Sequence, residues 1–348
     1  MKFKVGHYLV DSCSFWVSNR FLVMNIKKID FSKVLNDAQI YDHMMAAYDE
    51  LGKDWISHQW NWMNHVYEAF KDHYKYLIVI SLIEKTLQFY DHINIQYTYA
   101  QYYSKTYLQI EKFSITELCE KLQLPKETVR RKVLELEKLG VLKRQKKQII
   151  IDRNAFQFVK PEKQIKSTAR YISLVSAILH KKKISKKLDA VFIENTLKKN
   201  FSLTWRWFYT MQIPMIIVYH NIFKDIATFH VWGTVAMNQA FNYKKNFDNF
   251  NINNLSQDYS RFNKGVINNE GSTTGVSAMS ISDMTSIPRA TVIRKCKYLL
   301  KHDYLKINDK KQYTLTGRNI SKILPYQKKV FRNKAKFLRK VLNLLTIS

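Results

Sequence analysis

Two stretches carry the residues whose types and spacing could do chemistry. Residues 124–152 read LPKETVRRKVLELEKLGVLKRQKKQIIID, and residues 287–316 read IPRATVIRKCKYLLKHDYLKINDKKQYTLT. They align without a gap at a shift of 163 (288 − 125), with Pro125 on Pro288, Lys126 on Arg289, Thr128 on Thr291, Arg131 on Arg294 and Lys132 on Lys295. In each, a proline opens a helical pattern with apolar residues at i, i+4 and i+7: Val129, Val133 and Leu136, then Val292, Cys296 and Leu299. That spacing turns one face inward. It turns Lys126, Thr128, Arg130 and Arg131 outward in the first copy, and Arg289, Thr291 and Arg294 in the second, near the helix start. An arginine fork there can pair with guanine O6 and N7, and a threonine can bond a phosphate or touch a thymine methyl.

Such side chains need a frame. Ser114-Ile-Thr-Glu117 has the capping-box pattern and predicts a preceding helix with Leu118 and Leu122 on its apolar face. Pro125 suits the first helical position, and Gly140 suits the residue after the last turn. "VLKR" and "QIIID" then read as strands joined by a polar turn. In the second copy Ser280-Ile-Ser-Asp283 is the expected cap and Asn308-Asp309-Lys310-Lys311 the expected turn. Helix, tight turn, helix, hairpin is the layout of a winged helix-turn-helix. The hairpin residues Lys143, Arg144, Lys146 and Lys147, with Lys306, Lys310 and Lys311, suit phosphates or the minor groove.

"LPKETVRRKVLELEKLGVLKR" resembles the winged-helix regulators of bacteria, of the MarR, GntR and Crp kinds, over about 40 residues in each half. The resemblance implies that the helix beginning near Lys126, and its copy near Arg289, enters the major groove of double-stranded DNA. Two departures stand out. Arg130 becomes Ile293, so the copies should read different sequences, and Pro125 and Pro288 replace the usual cap serine with its phosphate contact.

The totals agree with a polyanionic partner. Of 348 residues, 57 are Lys or Arg and 28 Asp or Glu, a formal charge of +29. Lysine abundance also follows from A/T-rich codons, so arginine placement says more. Four of the 13 arginines lie in residues 126–139 and 289–302, where an even spread would put about one. The cysteines Cys13, Cys119 and Cys296 lie far apart, which fits a reduced cytoplasmic interior with no disulfide or zinc framework, Cys119 and Cys296 being packing residues. The apolar runs at 76–83 and 213–219 are too short to span a membrane, and the first 16 residues lack a signal-peptide pattern. No P-loop, GxSxG, HExxH or Cys/His pair supports an enzyme, and nothing calls for a cofactor.

The expected fold class is mostly α, with tandem winged helix-turn-helix domains joined by long helices. Residues 1–40 are unassigned. Residues 41–155 hold a helical region and the first module (113–152), and 156–200 read as a helical linker whose Ile172, Val175 and Leu179 share a face. Residues 201–320 repeat the plan, with the second module at 278–316 and a flexible Asn-, Ser- and Gly-rich insertion at 242–275. A W-x-W in each half, Trp60-Asn61-Trp62 and Trp205-Arg206-Trp207, suggests that the helices are duplicated too, at a shift of 145 (205 − 60), the insertion making up the difference. Residues 321–348 form a basic amphipathic helix with Val330, Phe337, Val341, Leu344 and Leu345 on one side. This helix docks on the body, pairs a homodimer, or lies on a membrane surface. Trp55, His58, Trp62 and His65 share another face, as an aromatic core or a ligand or metal site. The function expected is sequence-specific DNA binding by a nucleoid-associated transcription regulator. A plasmid- or phage-type replication initiator and a structural interaction module of chromosome organisation are the alternatives.

Overall fold

The computed structural model describes residues 34–110, 114–145, 148–155, 160–242, 265–266 and 275–347. Cys13, Lys146, Lys147, residues 1–33 and most of the expected insertion lie outside them. The described chain is mostly helical: α1 (Asp37–Ala46), α2 (Tyr48–Phe70), α3 (His73–His92), α4 (Tyr99–Tyr103), β1 (Tyr107–Ile110), α5 (Ile115–Leu122), α6 (Lys126–Lys138), β2 (Leu142–Gln145), β3 (Gln148–Asp152) and α7 (Glu162–Lys181). The second half follows with α8 (Ala190–Lys199), α9 (Phe201–Phe223), α10 (Ile226–Asn242), α11 (Ala278–Thr285), α12 (Arg289–Lys301), β4 (Leu305–Ile307), β5 (Tyr313–Leu315) and α13 (Ile320–Ile347).

The halves repeat element by element. The helices α1 and α8 have 10 residues each and α2 and α9 have 23 each, and α1, α2 and α3 start 153 residues before α8, α9 and α10 (190 − 37, 201 − 48, 226 − 73). Both 23-residue helices end on a left-handed lysine, Lys71 (φ 50°) and Lys224 (φ 59°), and the next residue, Asp72 or Asp225, accepts backbone N–H bonds at the start of the following helix. This corrects the W-x-W register. At the true shift Trp60 matches Ile213 and Trp205 matches Gly52, so the two W-x-W motifs are not equivalent. The extra length before the second module is 10 residues (163 − 153), not 18. Residues 156–200 are no linker either, because α7 closes the first half and α8 opens the second.

Neither half closes its own core. Helix α3 lies against α9 while α10 lies against α2, and α7 lies against α8 while α13 lies against α1. Each contact has its mirror, which is the signature of an approximate twofold axis. Two pairs of equivalent residues meet on it. Gln212 donates to Gln59 at 2.7 Å, and Gln59 donates back at 3.5 Å. Lys334 Nζ donates to the hydroxyl of Tyr171, its counterpart at the shift of 163, at 2.8 Å. The chain ends use one device twice. Leu35 exchanges backbone bonds with the Asn343 side chain on α13, and its counterpart Leu188 does so with Ser173 and Ser176 on α7.

The packing explains the residue types. The runs at 76–83 and 213–219 sit inside α3 and α9 and are almost wholly buried, so they are core helix rather than membrane span. No helix among the described residues is long and apolar enough to cross a membrane. On α13, Val330, Phe337, Val341 and Leu345 are buried against the body, so docking is what its apolar face does. Trp55, His58 and Trp62 are buried core residues, and no group of three or more potential metal ligands occurs among the described residues. Lys334 is buried with its Nζ 3.8 Å from the Trp55 ring centre and 4.5 Å from that of Phe331. Burial pushes this amine well below the usual lysine range.

Two outcomes follow for stability. Lys334→Met removes a buried amine that has no carboxylate beside it among the described residues and should leave the denaturation midpoint unchanged or higher. Tyr171→Phe strands that amine and should cost roughly 1–3 kcal/mol, read by urea titration. Burial also pushes His58 and His73 down to about 4 from 6.5. Between those values the unfolded chain takes up protons that the folded chain refuses. The stabilisation is therefore complete above about pH 6.5 and is lost as pH falls toward 4, by up to about 1.4 kcal/mol per pH unit for each histidine. Urea midpoints between pH 7 and 4 check this, and His58→Gln should flatten the slope.

Candidate nucleic-acid interface

Each basic module is built by the same local rules. Ser114 caps α5 through the Glu117 amide, and a left-handed Gln123 (φ 52°) turns the chain into α6. In the second module the cap is Ser277, which accepts from the Ser280 amide, and not Ser280 as the capping-box pattern suggested. The shift of 163 selects Ser277 as the counterpart of Ser114, and Ser286 (φ 58°) as that of Gln123. Pro125 and Pro288 sit at the cap itself, one residue before each second helix, where a missing N–H costs nothing. Gly140 (φ 73°) ends α6 as expected.

Behind each second helix lies a small antiparallel sheet. In the first module β3 pairs with β2 and also with β1, in the order β1-β3-β2. In the second, β5 pairs with β4, and Val276 bridges to Tyr313 on the other edge of β5. Val129, Val133 and Leu136, and Val292, Cys296 and Leu299, face the core with no exposed surface. Cys296 is held as a thiol, its titration pushed up to about 12 by burial, and Cys119 is half-buried.

The outward faces present the basic residues. Lys126, Arg130 and Arg131 are exposed on α6, as are Arg289 and Arg294 on α12, while Thr128 and Thr291 are half-buried beside them. Arg131 is 68% exposed and only loosely paired, 3.9 Å from Glu135. Among the described residues Lys126, Arg130, Arg289 and Arg294 have no carboxylate partner. Ile293, in the place of Arg130, is half-buried. The hairpins differ in freedom. Lys143, Lys306, Lys310 and Lys311 are exposed, whereas Arg144 is gripped by both oxygens of Glu137 at 2.5 and 2.7 Å and is committed to bracing its hairpin on α6. An equivalent brace in the second module has no residues to form it, because Leu300 stands where Glu137 does.

The residues that hold these helices on the body do not stand out from composition or periodicity. Lys132 on α6 reaches Asp72 at 2.7 Å, and its counterpart Lys295 on α12 reaches Asp225 at 2.7 Å. Lys75 adds a bond to Glu135 at 3.0 Å in the first half alone. Burial by itself would lower Lys132, but the carboxylates of Asp72 and Glu135 outweigh it and raise it. Burial would likewise raise Asp225, and Lys295 with the Thr228 amide and hydroxyl holds it low instead. A signal for them is present all the same: Phe70-Lys71-Asp72 recurs as Phe223-Lys224-Asp225, 153 residues on. A further chain runs from His73 to His230 at 3.1 Å, on to Asn64 at 2.7 Å, and from Asn64 to the Met284 carbonyl at 3.0 Å, tying the second module to both halves of the body.

Each aspartate is both a helix cap and an ion-pair partner. Asp72→Ala should therefore cost about 1–2 kcal/mol and speed amide exchange in α6, while Asp225→Ala should do the same in α12. Hydrogen exchange by mass spectrometry reads both. Equal loosening of both helices by either variant would refute separate anchoring.

No family model matches the chain, and no curated protein or solved structure is significantly similar to it.

Proposed function

We propose that the two basic modules are winged helix-turn-helix domains and that the chain binds double-stranded DNA in a sequence-specific, bipartite way, as a transcription regulator without catalytic activity. The observation that carries this is the pairing of form and charge. Two equivalent helices, α6 and α12, each turn a buried apolar face to a small sheet and an arginine-bearing face outward. Both are anchored to one body by equivalent ion pairs. A helix presented this way matches the width of the major groove, and exposed hairpin lysines beside it match the flanking phosphates. The role of Arg144 shifts accordingly, from binding phosphate to supporting the hairpin.

The twofold arrangement places within one chain what a symmetric homodimer obtains by association. Tethering raises the effective concentration of the second head, so each head can be weak while the pair binds tightly. The two faces are not identical, since Arg130 and Ile293 occupy equivalent positions. A site read by them is directional rather than palindromic. Directional sites can be arrayed head to tail, and this favours the replication initiator as the second reading.

Selection from a random duplex pool at physiological salt tests the proposal. An enriched motif of two unlike halves is the expected result; its genomic positions at promoters point to the regulator, and repeated copies near an origin point to the initiator. Arg131→Ala with Arg294→Ala should cost roughly 1–3 kcal/mol for each arginine–guanine pairing removed. Binding that is sequence-blind and vanishes as salt rises would leave only non-specific phosphate attraction and refute the proposal.

A further inference from the structure

The twofold repeat is also broken around an open volume inside the body. Among the described residues a cavity of about 100 Å³ lies between the halves, bounded by α2, α9, α10, α13, Val266 and Leu315 of the second hairpin. Its walls are aromatic: Trp55, Trp60, Tyr219, Phe229, Trp232 and Phe331. Protein interiors are close-packed, and a void forfeits dispersion attraction along its lining, so its placement calls for a reason.

The residues around it supply that reason. Gly233, Ala236 and Met215 line the cavity. Their counterparts 153 residues earlier are Ile80, Ile83 and Trp62, all buried. At these three positions the first half carries the larger side chain, whereas the wall residues Trp60, Tyr219 and Trp232 have the smaller Ile213, Val66 and Val79 as their counterparts. A Cβ added at Gly233 would meet no atom of the described residues within 4 Å, so no close approach of described backbone requires glycine there. Glycine inside a helix also carries an entropic cost. Packing and helix propensity would both favour a larger residue.

Several polar groups at the walls are already engaged. Trp60 donates its indole N–H to Thr234 at 3.1 Å, Gln59 is bonded to Gln212, and both ring nitrogens of His230 are taken by His73 and Asn64. What remains is mostly apolar and aromatic surface, which suits a neutral, apolar ring and penalises a charged one. Cavities of roughly 150 Å³ lined by apolar side chains bind benzene, and the smaller volume here sets the limit at a single ring without bulky substituents.

We infer that this cavity is a binding site for a neutral aromatic molecule of about one ring, held between the two halves by the aromatic side chains of α2, α9 and α10. The inference does not rest on the DNA reading, and its test contains no DNA. Fluorobenzene, followed by ¹⁹F line width and shift in titrations of the full chain, should show saturable binding at one site. Benzene should compete and benzoate should not. Gly233→Ile with Ala236→Ile restores the first-half residues and should weaken binding at least tenfold, while far-ultraviolet circular dichroism and the melting temperature hold or rise. Gly233→Ala, which the open space accommodates, should keep the fold and weaken binding severalfold. Failure of the wild type to bind saturably, as when a segment of the chain itself fills the space, overturns the inference. So does undiminished binding by either filled variant that remains folded.

Discussion

The structure depends on an exchange: each half completes the other's core. Helix α3 needs α9 and α10 needs α2, so the long apolar faces of the central helices are buried only when both halves are present. Burial of that surface is the principal favourable term in folding, and here it cannot be divided between two independent domains. The Gln59–Gln212 and Tyr171–Lys334 pairs lie where the axis requires a residue to meet its own counterpart. At such a point two identical side chains must either satisfy each other or diverge. The glutamines do the first, since an amide is both donor and acceptor. Tyrosine and lysine do the second, as hydroxyl acceptor and amine donor.

This exchange gives the basic modules a rigid base. Asp72 and Asp225 stand where a 23-residue helix ends and the next begins, so each ion pair ties a module to the exchanged core and not to a loop. Any bipartite recognition would inherit its spacing from the core. The +29 charge supplies attraction without direction. Any direction would have to come from Arg130, Arg289 and Arg294, which have no carboxylate partner among the described residues.

The departures from symmetry are as informative as the symmetry. Arg130 against Ile293 makes the outer faces different, and the Arg144–Glu137 brace stiffens one hairpin only. Isoleucine against Gly233 and Ala236 opens one side of the core. In a dimer of identical chains none of these could be confined to one half. Duplication within a chain lets each half change alone while the exchange keeps them together.

The sequence by itself determined the modules. Pro125, Gly140, the i, i+4, i+7 apolar triads and the shift of 163 are local signals, set by backbone geometry within a few residues, and they fell where expected apart from the cap at Ser277 and from Pro125, which stands at the cap and not at the first helical position. The buried faces of α6, α7, α12 and α13 were legible for the same reason. Only the tertiary structure decided the rest. The W-x-W pairs misled because an aromatic residue on a helix buried nearly all round can sit at almost any position, so its type carries no register. The true shift of 153 is written in helix ends and in Phe-Lys-Asp, a tripeptide whose meaning comes from a lysine 60 residues away in the first half and 70 in the second (132 − 72, 295 − 225). The exchange of helices, the burial of Lys334 in an otherwise basic amphipathic stretch and the open volume at Gly233 all depend on which surfaces meet across the axis. Periodicity shows that a face is buried, but the partner that buries it is a property of the assembled chain.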